Sequence, residues 1–385
     1  MALKQIARSL IPPILLDFRI ALINFFINRK TIGEAPFRKW WDSHKNSDKI
    51  PTDLKNMTIY FLQTKESRLM SKYWWFLAKR NIEQIQNEGY ENFKQTVARN
   101  YYTWVGGDGE LLMSEVFKNM EGILNAADSL NVNAKEIFRL HSHFSTKESI
   151  DFNINTILFY LYVQKMSADG NSLIEEPVEG NPPGIYIKNK LITQDLLNSF
   201  LDYKSISSCC DLQEAKCVLE LGAGYGRTAY YLIHKHPHLS YLVVDIPPAL
   251  YIAQRYLTEQ FPEKGVIKFN KDLDRDELKR AIREKAIIFL TPDQLQLLDT
   301  KEVDLFVAID NLHAMSVQQV EDYFEQINRI AKLLYFTYWP GMGIPFDDFS
   351  YDSSKWPVRT AWKIIHESRT QIPSCYVNIC YQING

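Results

Sequence analysis

From residue 216 onward, short uninterrupted apolar runs alternate with segments whose apolar positions recur every three or four residues. The runs are Cys217-Val218-Leu219-Glu220-Leu221, Tyr241-Leu242-Val243-Val244, Ala286-Ile287-Ile288-Phe289-Leu290, Leu305-Phe306-Val307-Ala308-Ile309 and Leu333-Leu334-Tyr335-Phe336. Each is four or five residues long, the length of a buried strand. Between them Ala229, Leu232 and Ile233, then Ala249, Ile252, Ala253 and Tyr256, then Val320, Tyr323, Phe324 and Ile327 keep helical spacing. Pro247-Pro248 suits a first helical turn, whose N–H groups have no partner anyway. Ser316 and Gln319 stand three apart, as in a capping box. A late strand is expected over 376–381. Strands apolar throughout and separated by helices predict an α/β, doubly wound, mostly parallel sheet covered on both faces. Ligands should then sit at the carboxyl ends of the strands, beside the first.

The first half has another rhythm. Residues 54–89 carry no proline or glycine before their end and predict helix, as do 91–104, 110–130 and 150–166. Aromatics crowd this half: Tyr73-Trp74-Trp75-Phe76, Tyr101, Tyr102, Trp104, Phe159, Tyr160 and Tyr162. Such stripes serve as helix-packing core, or as faces that stack on the C–H patches of a sugar ring. Gly106-Gly107-Asp108-Gly109 breaks the helices. Residues 175–192 read as a linker, with Glu176-Pro177 and Gly180-Asn181-Pro182-Pro183-Gly184 as breakers. Within it a short strand at 185–187 and a turn at Asn189 are expected, and Thr193 is an N-cap for a helix to 203. The chain thus divides into a mainly helical N-terminal domain, 1–180, and an α/β domain, 181–385.

The most informative stretch is Glu220-Leu221-Gly222-Ala223-Gly224-Tyr225-Gly226-Arg227. A strand turns sharply into a helix there, and glycine lets a ligand approach bare backbone. The helix start offers unpaired N–H groups to an anion. The glycines run G-x-G-x-G, not the G-x-G-x-x-G of dinucleotide enzymes, and Arg227 follows the third directly. The spacing resembles the first motif of class I S-adenosylmethionine (SAM) methyltransferases. That resemblance implies a glycine turn holding the methionine part of SAM and an acid about 20 residues on that holds the ribose. Asp245-Ile246 closes the second strand at that distance. Arg227 is a candidate partner for the SAM carboxylate, and Asp293 or Gln294 after the third strand for the adenine amino group.

Methyl transfer to oxygen needs a base for a hydroxyl that is a poor nucleophile at neutral pH. Asp310 leaves the fourth strand at its carboxyl end and His313 follows three residues later. An imidazole, with an ordinary pKa of about 6.5, suits the task. His313 is therefore the candidate general base, aided by Asp310. A second reading has His313 capping or packing under the next helix. Trp339, His143 and Tyr102 are candidate substrate contacts, His143 also reading as a surface or hydrogen-bonded residue. No spacing among Asp304, Asp310, Asp347 and Asp348 demands a metal.

A formal net charge of −2 over 385 residues leaves no nucleic-acid footprint. Five cysteines, an odd number without C-x-x-C spacing, point to a reducing compartment and a cytoplasmic chain. Residues 11–28 hold the apolar stretch ILLDFRIALINFFI, too short and too interrupted by Asp17 and Arg19 to span a bilayer. It reads as a helix docked on its own domain or on a second copy of the chain, or as an interfacial helix resting on the inner face of a membrane.

Taken together the motifs resemble the sugar O-methyltransferases of bacterial surface-glycan gene clusters. The likeness lies in Glu176-Pro177 with Gly180-Asn181-Pro182, the glycine turn, Asp245-Ile246-Pro247-Pro248-Ala249-Leu250-Tyr251, Phe289-Leu290-Thr291-Pro292 and Leu312-His313-Ala314-Met315. It covers roughly the last 215 residues. One departure is Ala314, where the family pattern implies an acid before the methionine. The resemblance implies SAM as cofactor, a sugar or glycan acceptor, and a role in surface polysaccharide or glycolipid assembly. Rival readings are a methyltransferase for another hydroxylated metabolite and a SAM-fold scaffold without turnover.

Overall fold

A computed structural model describes residues 31–101, 132–166, 173–340, 346–347, 356–370, 372 and 376–384. Its centre is an eight-stranded sheet. The strands, after a small hairpin of β1 (Ile185–Ile187) and β2 (Lys190–Ile192), are β3 (Cys217–Leu221), β4 (Ser240–Val244), β5 (Val266–Ile267), β6 (Ile287–Leu290), β7 (Val303–Ile309), β8 (Ala331–Tyr338), β9 (Lys363–Arg369) and β10 (Val377–Gln382). Their order across the sheet is β5-β6-β4-β3-β7-β8-β10-β9. The first six run parallel, and β10 lies antiparallel between β8 and β9. The doubly wound, mostly parallel sheet expected from the apolar runs is the one observed.

Helices α1 (Glu34–His44), α2 (Thr52–Phe61), α3 (Lys65–Leu69), α4 (Lys72–Glu88), α5 (Ala134–Ile137) and α6 (Thr146–Met166) precede the sheet. Helices α7 (Gln194–Ser207), α8 (Arg227–Lys235), α9 (Pro247–Gln260), α10 (Arg275–Arg283) and α11 (Val317–Ile330) connect and cover its strands. Strand side chains alternate between faces. Val218, Tyr241, Val243, Leu305 and Val307 join one cluster with α8, α9 and the N-terminal helices. Leu219, Leu242, Val244, Phe306 and Ala308 join a second with α10 and α11. Helices α1, α2 and α4 thus share their core with the sheet, so side chains from the first hundred residues reach the strand ends.

Local chemistry sets the boundaries. Thr193 accepts from the Leu196 N–H and opens α7, Ile246-Pro247-Pro248 opens α9, and the Ser316–Gln319 capping box opens α11. Lys188 and Asn189 both take positive φ and close the β1–β2 hairpin, the backbone a two-residue turn needs. Other expectations need correcting. Residues 54–89 form three helices, not one, because Thr64 and Ser71 each cap a new start by accepting a backbone N–H. Within 91–104 the described part holds 3-10 turns, Tyr90–Asn92 and Ala98–Tyr101. Strand β9 gave no signal because, as an edge strand, it shows mostly exposed positions. The linker is pinned: Lys94 Nζ lies 2.6 Å from Glu176 Oε1, with both side chains buried. Residues 11–28, 106–130, Tyr102 and Trp104 lie outside the described residues. Among the described residues no helix is long and apolar enough to cross a membrane.

Candidate active site

Strands β3, β4 and β7 end at one level, Leu221 pairing with Val244 on one side and Ala308 on the other. The glycine turn leaves β3 there. Gly222, Gly224 and Gly226 all take positive φ, at 69°, 62° and 92°. At Gly222 the requirement is also steric, since a Cβ would fall on the Asn311 side-chain amide. That amide donates to the Leu221 carbonyl and ties the β7 end to the turn. The turn, Asp245, Ile246, Asp310 and His313 all line one cavity.

Asp245 sits at the carboxyl end of β4, 9 % exposed. Its Oδ2 accepts the Gly224 N–H at 2.8 Å and its Oδ1 the Ile246 N–H at 2.7 Å. Burial pushes its carboxyl up to about 7, against the pull of those two amides. Glu220 projects from β3 into the same cavity and accepts from the Tyr241 hydroxyl at 2.8 Å. Burial raises it to about 8. No cation pairs with Asp245 among the described residues, so it keeps lone pairs for hydroxyl donors entering the cavity.

Asp310 and His313 meet across the end of β7. Asp310 takes a positive φ of 54°, which turns the chain out of the strand. Its Oδ1 lies 3.3 Å from His313 Nε2. Burial raises Asp310 to about 7 and lowers His313 to about 4, so the imidazole is neutral at physiological pH. Its Nδ1 has no hydrogen-bond partner. One buried ring nitrogen is thus open and the other lies near a carboxyl. The 3-10 turn Leu312–Ala314 carries the ring, and Ala314 packs near Tyr73 and Leu77.

Several sequence candidates take other roles. Arg227 lines the cavity, yet its Nη1 sits 2.7 Å from Asp202 of α7 and 3.2 Å from Ser199 Oγ, so its charge is already matched. Asp293 does not line the cavity; its Oδ2 accepts from the Tyr60 hydroxyl at 2.5 Å. Gln294 is spent on structure: its Oε1 accepts the Thr291 N–H and its Nε2 donates to the Asn270 carbonyl. The Thr291–Gln294 capping box explains Gln294 without a ligand, whereas Asp293 Oδ1 is buried with no hydrogen-bond partner. His143 is likewise remote from the cavity, its Nδ1 3.0 Å from Glu88 Oε2. Tyr225 lines the cavity, but its hydroxyl reaches away to Asp195 at 2.7 Å and its ring packs on Phe93 and Tyr256. Ala223 and Trp339 line the cavity as expected.

Sequence reasoning named Tyr73, Trp74 and Tyr101 as a packing or sugar-stacking stripe but did not name Leu77 or Asn81. Tyr73, Trp74, Leu77, Asn81 and Tyr101 form the wall opposite the glycine turn. Tyr101 lies 3.6 Å from where a Gly224 Cβ would be, and its hydroxyl accepts from Asn81 Nδ2 at 3.2 Å. The signal was a polar Asn81 on an otherwise buried helix face. Asn311 and Tyr376 also line the cavity. The site carries a pH signature. Glu220, Asp245 and Asp310 keep protons in the fold that the unfolded chain releases near pH 4. Folded protein therefore binds more protons between their unfolded and folded values, and stability falls as pH rises from about 4 to 8. Urea midpoints across that range test this, and a midpoint that rises with pH would contradict it.

No family model matches this chain, and no curated protein aligns with it. Solved structures do resemble it. The mitomycin 7-O-methyltransferase MmcR is 11 % identical with a TM-score of 0.34, over 49 % of this chain and 55 % of its own. The match thus spans about half the length of that protein. A SAM-dependent methyltransferase from Aquifex aeolicus is 14 % identical, TM-score 0.32, over 47 % of this chain and 89 % of its own. The magnesium protoporphyrin IX methyltransferase ChlM from Synechocystis, with bound S-adenosylhomocysteine (SAH), is 13 % identical, TM-score 0.35, over 50 % and 86 %. The strand order with β10 reversed near one edge, and a glycine turn at the switch point, define a doubly wound, Rossmann-like α/β fold.

Proposed function

We propose that the chain is a SAM-dependent O-methyltransferase acting on a hydroxyl of a sugar. One observation carries the reading: the glycine turn, the cation-free Asp245 carboxyl and the Asp310–His313 pair open into the same cavity. The residues fit the cofactor. Gly222 and Gly224 keep backbone bare at the turn, and Asp245 has acceptor capacity for the two ribose hydroxyls. Ile246 and the apolar wall of the cavity suit an adenine ring. SAM supplies an electrophilic methyl on a sulfonium sulfur. The chain supplies the rest. With Asp310 ionised, its Oδ1, 3.3 Å from His313 Nε2, favours the tautomer that carries the hydrogen on Nε2. That fixes Nδ1 as a lone pair, ready to take the proton of an acceptor hydroxyl. Ala314, where the resembled family implies an acid, offers no proton acceptor, so the dyad carries that task here. The sugar acceptor rests on the motif resemblance.

Calorimetric titration with SAM and SAH, followed by mass-spectrometric transfer assays on a glycan panel, tests this reading. Absence of SAH binding would end it; binding without turnover on any hydroxylated acceptor would favour a scaffold. A finer signature follows from Asp245. Ribose hydroxyls donate to the ionised carboxylate, whereas the free site holds its proton up to about pH 7. SAH affinity is thus expected to rise up to about tenfold per pH unit below 7 and to level off above it. Asp245→Asn should flatten that profile.

A further inference from the structure

A second cavity, of about 330 Å3, opens between α7 and the β8, β9 and β10 end of the sheet. It is continuous in its lining with the first, since Arg227, Ile309, Asp310 and Tyr376 border both. A molecule held there has Asp310 at its inner end.

Its floor is built unlike the rest of the sheet. Thr337, Asn378 and Ser368 are direct partners across β8, β10 and β9. Direct cross-strand partners point to one face, and all three line this cavity. Asn378 is only 7 % exposed, and its Oδ1 has no hydrogen-bond partner while its Nδ2 donates to Ser205 Oγ at 3.1 Å. Thr337 Oγ1 already accepts the Asp310 N–H at 2.9 Å and Ser368 Oγ lies 3.0 Å from His366 Nε2, so the open acceptor of the row is Asn378 Oδ1, whose burial costs stability unless an occupant satisfies it. The other rows of these strands contribute apolar side chains to the core. Such a row suits an occupant rich in hydroxyls.

Charge narrows the occupant further. Lys204 of α7 and Arg369 at the end of β9 line the cavity, and neither has an ion pair among the described residues. Of the two acids on its wall, Asp202 is neutralised by Arg227 at 2.7 Å, and Asp310 belongs to the dyad. The rim therefore carries two uncompensated cations. We propose that this cavity is the acceptor site and that it takes a hydroxylated molecule bearing an acidic group, carboxylate or phosphate. The anion meets Lys204 and Arg369, the hydroxyls meet the Thr337–Asn378–Ser368 row, and one hydroxyl reaches the dyad. This inference rests on the methyl-transfer reading above.

The test uses the full chain, with and without SAH, and three probes: methyl β-D-glucuronide, glucose 6-phosphate and methyl β-D-glucoside. At least one acidic probe should bind tenfold or more tightly than the neutral glucoside, and the preferred one tells carboxylate from phosphate. The double variant K204A/R369A, both exposed positions, should erase that preference while SAH affinity stays unchanged. Asn378→Leu should weaken all three probes. Equal binding of acidic and neutral probes, no binding of any probe, or a preference that survives in the double variant would each overturn the proposal. Acid binding in a protein that fails to bind SAH would overturn the acceptor role together with the methyl-transfer reading. Acid-indifferent binding in a protein that does bind SAH would overturn this inference alone.

Discussion

His313→Ala lowers kcat/KM for methyl transfer by about 100- to 10,000-fold, the range of a positioned general base, with SAH affinity unchanged within twofold. The second half matters as much as the first. His313 is buried, 3 % exposed, and a purely structural histidine would drag cofactor binding down with activity. His313→Gln guards against that by keeping most of the volume. The pH profile gives an independent check. His313 stays neutral down to about pH 4, while Asp310 ionises only near 7. Activity should therefore climb with pH through about 7, where the ionised carboxylate fixes the productive tautomer. Asp310→Asn should remove that limb and leave a low, flat rate. Activity retained in His313→Ala would end the assignment and return the residue to a packing role.

Lys94→Met should destabilise the fold by about 3–5 kcal/mol, the cost of stranding one member of a buried ion pair. Lys94 Nζ lies 2.6 Å from Glu176, 3.2 Å from the Pro177 carbonyl and 3.4 Å from the Tyr256 hydroxyl. The ammonium also sits 4.7 Å from the centre of the Tyr256 ring. Without it, Glu176 would stay buried beside Thr193, its only other side-chain partner among the described residues being that hydroxyl at 2.9 Å. The carboxyl, already raised by burial, would then be accommodated only when protonated. The lesion should accordingly be larger at pH 8 than at pH 5, and K94M combined with Glu176→Leu should recover much of the loss. Denaturant unfolding of the three variants at both pH values measures this. A pH-independent loss would show that the deficit is packing and not charge.

These two sites differ in how far they could be read in advance. That Asp310 and His313 meet at a strand end was legible: both follow an apolar run, ahead of a capping box, and ligands belong at strand ends that face a crevice. The same logic found Asp245 and the glycine turn. It failed for Arg227, because nothing local reveals that Asp202, on a different helix, lies 2.7 Å away. It could not tell that Gln294 closes a capping box, because capping and ligand binding ask for the same residue types. Glu176 read as part of a linker, since its partner stands 82 positions earlier.

By itself the sequence determined the parallel sheet, the order of strand and helix, the turn at Gly222 and the acid at Asp245. Those properties follow from apolar periodicity, glycine's backbone freedom and cap chemistry, which act over a few residues. Only the tertiary structure decided that α4 and Tyr101 wall the cavity at the glycine turn, that Arg227 is neutralised, and that Thr337, Asn378 and Ser368 line up across three strands. Each of those depends on packing and strand pairing between distant segments, where burial chooses the partner and local pattern carries no record of the choice.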